Sequence, residues 1–116
     1  MSGSNARLAD LVRIASLLSD QALGPVAGAT ALLRDSQARV DDITLHRARL
    51  AASTDDPVQA ALMARQAERL RRLQMSALSD LANARAGVEI AKANARPAFG
   101  RHQVLAALLA ASGAKT

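Results

Sequence analysis

The sequence predicts an all-α fold, a long antiparallel two-helix coiled-coil hairpin, and three observations carry that expectation. Over residues 58 to 109, apolar residues return at steps of three and four: Leu70, Leu73, Ala77, Leu81, Ala84, Val88, Ala91, Ala95 and Ala98. That spacing keeps one stripe on one side of a supercoiled helix, whereas a strand needs period two. A similar rhythm runs through the first half of the chain, and a polar segment ending in Pro57 separates the halves near the midpoint of the 116 residues. A helix with such a seam cannot cover it alone in water. The two halves are therefore expected to cover each other as one hairpin domain, residues 1–116, with arm one about 5–51, a turn at 52–57 and arm two about 58–111.

Arm one opens after a short polar lead, with Ser4 or Asn5 as the expected cap. Its first stripe is Leu8, Leu11, Ala15, Leu18 and Ala22, interrupted by Gly24, Pro25 and Gly28, and resumed by Ala29, Leu33, Ser36, Val40, Ile43 and Leu50. Pro25 either ends one helix and starts another or kinks a single one. The stripe keeps its phase through Val26, which favours a kink.

The reversal is read from Ser53, Thr54, Asp55 and Asp56, which are cap and turn formers, with Pro57 at the first position of the next helix. Folding about residues 54 and 55 sets Leu33 near residue 76, Ala22 near Gly87 and Leu11 near Ala98. Gly24 and Pro25 then face residues 85–87, and Asp41 and Asp42 come within reach of Arg65 or Arg69. Residues 96–101 are expected to break or kink arm two at Pro97. Beyond them Phe99, Val104, Leu105, Leu108 and Leu109 should pack on Leu8, Leu11 and Val12, and residues 112–116 should fray.

Composition agrees with a thin seam. Half of the residues are hydrophobic, yet Phe99 is the only aromatic, so small Ala and Leu side chains must do the packing. The absence of Cys excludes disulfides and thiolate metal sites and fits a reducing compartment. No secretory signal pattern opens the chain and no apolar run approaches the length of a membrane span. The expected location is cytoplasmic, at most peripheral at the inner membrane face. Leu17, Leu32, Leu45, Leu62 and Leu78 fall outside the seam, so some oligomerisation or partner binding is expected.

The net charge is +5, with thirteen Arg against two Lys, which points toward an acidic partner. Arg65, Arg69, Arg71 and Arg72 form the densest basic group, and Arg65, Arg69 and Arg72 share a helical face. These three are the candidate partner-binding residues, read either as a docking face or as a solvated face neutralised by Glu68 and Asp41. Nucleic acid is the weaker option because no aromatic side chains stand ready to stack on bases. His46 and His102 are far apart, adjacent Asp41 and Asp42 point in different directions, and residues 24–28 lack the Lys-Ser or Lys-Thr of a phosphate loop. No enzymatic activity, cofactor or metal is expected.

Two long helices about a polar reversal, a basic chain without Cys, and the Arg96-Pro97-Ala98-Phe99-Gly100-Arg101 segment with its apolar stub resemble the FliJ family of flagellar export stalk proteins and its type III secretion counterparts. The resemblance implies a non-enzymatic stalk or adaptor that inserts into the ring of the export ATPase and touches the export gate. This chain is shorter than typical members, poorer in Glu, Gln and Lys, and carries Pro25 in the first arm. No family binding residue transfers to it. The alternatives are a small basic nucleic-acid-associated helical protein or a dimeric helical-bundle interaction protein.

Overall fold

The computed structural model describes residues 2–51 and 54–114 and contains two α-helices, α1 (Ser2–Leu50) and α2 (Pro57–Ala114). Ala52 and Ser53 of the expected turn, and Lys115 and Thr116 of the expected frayed end, lie outside the described residues. The fold is the two-helix hairpin that the seam demands, with the helices antiparallel.

Asp56 caps α2: its carboxylate accepts a hydrogen bond from the Val58 amide at 3.0 Å, and its carbonyl accepts the Ala60 amide at 2.8 Å. Pro57 then occupies the first helical position, where no amide proton is needed. Thr54 prepares the cap by accepting the Asp56 amide through its hydroxyl at 3.3 Å. The Ser4 or Asn5 cap expected for arm one is not used, because α1 already begins at Ser2.

Pro25 lies inside an unbroken α1. Pro97 likewise lies inside α2, so the break expected at residues 96–101 is corrected to continuous helix. An interior proline removes one backbone hydrogen bond and crowds the preceding turn. Here the flanking seam holds the helix through that cost, with Ala95 only 1% exposed and Ala98, Phe99 and Gly100 half-buried.

Two compact units divide the chain, and each takes residues from both helices. The unit of residues 30–87 carries the apolar cluster of Val40, Ile43, Ala77 and Leu81, with Leu33 and Leu73 packed against it. In the unit formed by residues 1–29 and 88–116, Ala15, Val88 and Ala95 are buried, and Leu11, Ala15 and Leu18 share a groove with Ala98 and Leu105. The Ser112 hydroxyl donates to the Asn5 side-chain oxygen at the end of that unit. Among the described residues, four of the eight buried hydrophobic side chains are alanine, so the helices gain a close, thin contact rather than a thick core.

The register differs from the symmetric fold about residues 54 and 55. Arg39 pairs with Asp80 at 3.4 Å, whereas that fold sets it opposite Leu70. Gln74 donates to Thr44 at 3.3 Å and Arg85 to Gln37 at 3.5 Å, both offset in the same direction. Arg85 therefore meets Gln37 rather than Gly24 and Pro25. The slide is about ten residues, or about 15 Å at 1.5 Å per residue. Ten residues is three steps of the three-and-four rhythm, so the slide carries stripe onto stripe and the seam alone does not oppose it.

Candidate functional site

The slide sets up the candidate face. Leu50, the last residue of α1, shares a groove with His46, Arg49, Gln66, Arg69, Leu70 and Leu73. Upstream of that point, from residue 57 to 66, every residue of α2 is exposed except Met63, which is half-buried. The groove over the first turns is lined by Pro57, Val58, Ala61, Leu62 and Arg65, all from α2.

Val58, Leu62, Arg65, Arg69 and Arg72 are spaced four, three, four and three residues apart, so they form a second stripe on α2, away from the seam. Val58 is 70% exposed and Leu62 55%. The stripe thus begins apolar and becomes cationic. Arg65 belongs to the groove over Val58 and Leu62 and also to the next groove, with Ala64, Glu68, Arg69, Arg72 and Leu73.

The three predicted Arg residues divide by their partners. Arg72 donates from Nε to Glu68 at 3.2 Å. Arg71, outside the stripe, grips the same carboxylate with two hydrogen bonds of 2.9 Å and also reaches the Met75 sulfur at 3.2 Å. These bonds, led by that from Arg71, hold the Glu68 carboxyl down from 4.5 to about 2 and raise the Arg71 guanidinium above its usual value. One carboxylate therefore serves two guanidiniums. Arg65 and Arg69 have no ion pair among the described residues.

The expected pairing of Asp41 or Asp42 with Arg65 or Arg69 does not form. Asp41 instead accepts a hydrogen bond from Gln37 at 3.0 Å, one turn back on α1. The physical reason is the register: sliding α2 by about ten residues brings the segment between Gln74 and Asp80, not its first turns, alongside Asp41. Leaving Arg65 and Arg69 without carboxylates is the consequence.

The Arg residues are recognisable from their density in the sequence, whereas Val58 and Leu62 are joined to them by the exposed start of α2. The signal was present, since the same four-and-three spacing that marks the seam also links these five positions. What this face can do chemically is bind: apolar side chains give area, and guanidiniums in a fixed row recognise carboxylates through paired N–H donors. His46 borders it among Arg49 and Arg69, a cationic neighbourhood rather than a set of metal donors. Among the described residues no group of three or more His, Cys, Asp or Glu could hold a metal ion, and no helix is long and apolar enough to cross a membrane.

No protein-family model, curated protein or solved structure matches the chain.

Proposed function

We propose that this chain is a non-enzymatic coiled-coil adaptor, a stalk-like component of a flagellar or type III protein export apparatus that engages the export ATPase and gate. The observation that carries the binding part is the open stripe Val58, Leu62, Arg65, Arg69 and Arg72, with Arg65 and Arg69 lacking internal carboxylates. A solvated surface helix gains nothing from apolar side chains in line with unneutralised guanidiniums, whereas a docking face gains from both. The export assignment itself rests on the resemblance to the FliJ family drawn from the hairpin layout and the segment at residues 96–101.

The partner surface this stripe suits is acidic protein with an apolar patch. A nucleic acid would use the Arg residues alone and would leave Val58 and Leu62 idle. Two experiments test the reading. In a pull-down, the export ATPase and gate should be retained by the wild-type chain and lost on R65E/R69E/R72E. In cells, deletion should abolish motility or secretion, and the wild-type chain but not the triple variant should restore it. Normal motility and secretion after deletion would remove the export role.

A further inference from the structure

Three grooves along the first half of α2, all within the residue 30–87 unit, share walls. Arg65 belongs to the first and second, and Arg69 and Leu73 belong to the second and third. Together they make one trough from Val58 to Leu73, fifteen residues long, or about 22 Å at 1.5 Å per residue. That is four turns of helix.

The first two grooves are lined by α2 alone, whereas the third takes His46, Arg49 and Leu50 from α1 and Arg69, Leu70 and Leu73 from α2. Leu50, Leu70 and Leu73 are half-buried while His46, Arg49 and Arg69 are exposed, so cations rim an apolar floor. Arg49 stands three residues after His46, on the same side of α1. Like Arg65 and Arg69, it has no ion pair among the described residues. Glu68 is the one carboxylate that lines the trough, and Arg71 and Arg72 already hold it. Asp42, seven residues before Arg49, lines none of the three grooves.

Charge and shape identify the occupant. A row of guanidiniums covered by a partner without acceptors would be desolvated at a cost, so the partner must bring carboxylates. Val58 and Leu62 at one end and the leucine floor at the other call for apolar side chains in the same line. A straight trough four turns long that asks for both fits an amphipathic helix laid in it. A second copy in two-fold contact would set arginine against arginine. A nucleic acid would leave the floor unused.

We infer that the trough from Val58 to Leu73, with His46 and Arg49 of α1 as its far wall, binds an acidic amphipathic helix of another protein. Arg49, Arg65 and Arg69 donate to its carboxylates, and Val58, Leu62 and the leucine floor take its apolar stripe. This rests on reading the α2 stripe as a docking face and does not depend on the export assignment.

Fluorescence anisotropy of the full chain tests it with a labelled, capped four-turn peptide that carries Leu at three-and-four spacing flanked by Glu. The wild type should bind this peptide at least about tenfold more tightly than the same peptide with Gln for Glu, or a shuffled one that scatters the Leu. R49E and L62Q should each weaken binding about tenfold, with helicity by circular dichroism unchanged because both side chains are exposed. R34E, fifteen residues before Arg49 on α1, should change it less than about twofold, since screening confines the effect of a distant charge. No wild-type binding up to about 500 µM, equal affinity for the Gln peptide, or a single-stranded oligonucleotide bound more tightly than the Glu peptide would each overturn the inference. Loss of binding in R65E/R69E/R72E with R49E unaffected would overturn the share of α1 and leave the stripe reading standing. Peptide binding that persists while the export ATPase and gate are not retained would uphold the inference and remove only the export role.

Discussion

Arg39 of α1 and Asp80 of α2 meet at 3.4 Å, forty-one residues apart in sequence, and their pairing marks the register of the whole residue 30–87 unit. Both side chains are about half exposed, so the contact stabilises modestly, by about 0.2–1 kcal/mol. Its importance is in selection among registers that the repetitive seam would otherwise accept. R39E or D80R should each lower the urea midpoint slightly, and R39E/D80R together should recover most of the loss. Additive losses in the double variant would mean that the two side chains do not interact.

Leu81 is buried in the cluster with Val40, Ile43 and Ala77, only 4% exposed. Leu81→Ala should cost about 2–4 kcal/mol in denaturant unfolding, through lost burial and the cavity left in a seam too small to refill it. Leu78→Ala, three residues away and 46% exposed, should cost less than about 1 kcal/mol. Equal losses would contradict the assignment of seam and outer face.

Gly24, Pro25 and Gly28 sit in continuous helix with no steric reason for glycine, since a Cβ added at Gly24 or Gly28 meets nothing within 4 Å. Gly28→Ala should stabilise by about 0.5–1 kcal/mol, and Pro25→Ala by up to about 3 kcal/mol. Thermal unfolding followed at 222 nm reads both. A loss of stability at Gly28→Ala would show a close neighbour that the helix pairing does not place there.

The Glu68 carboxyl, depressed to about 2 chiefly by the Arg71 hydrogen bonds, supplies a pH signature. A carboxylate with a lowered folded-state value stabilises above the ordinary range and loses that contribution as pH falls from about 4.5 toward 2. Side-chain carbonyl shifts should place its midpoint well below the ordinary glutamate value at low salt, moving upward in high salt because the pair is exposed. R71Q should return the midpoint toward the ordinary carboxylate value. An unshifted wild-type titration would remove the claim that Glu68 neutralises Arg71 and Arg72.

Much of this fold was legible in the sequence because a helical seam declares itself by spacing. All nine positions from Leu70 to Ala98 are buried or half-buried, and Leu17, Leu32, Leu45, Leu62 and Leu78 are exposed. The Pro57 start was legible for a similar reason, as proline fits the first helical position without the loss of a backbone hydrogen bond. Register was not legible. Ala-rich stripes match one another after any slide that respects the rhythm, and the decision passes to sparse long-range contacts such as Arg39 with Asp80. The Arg69 and Asp41 pairing failed on that point, and so did the view of Arg65 as a neutralised side chain. Pro97 misled differently: its local preference against the helix interior was overridden by the packing of Ala95 and its neighbours.

The central claim is the slid antiparallel register, because it leaves the first turns of α2 open and frees Arg65 and Arg69. Methyl-labelled chain, diluted into unlabelled chain so that only intramolecular contacts register, tests it most directly by nuclear Overhauser spectroscopy. Cross-peaks are expected from the Val40 and Ile43 methyls to Leu81. Cross-peaks from Val40 to Leu70 with none to Leu81 would restore the symmetric fold about residues 54 and 55, and with it a covered, neutralised arginine face.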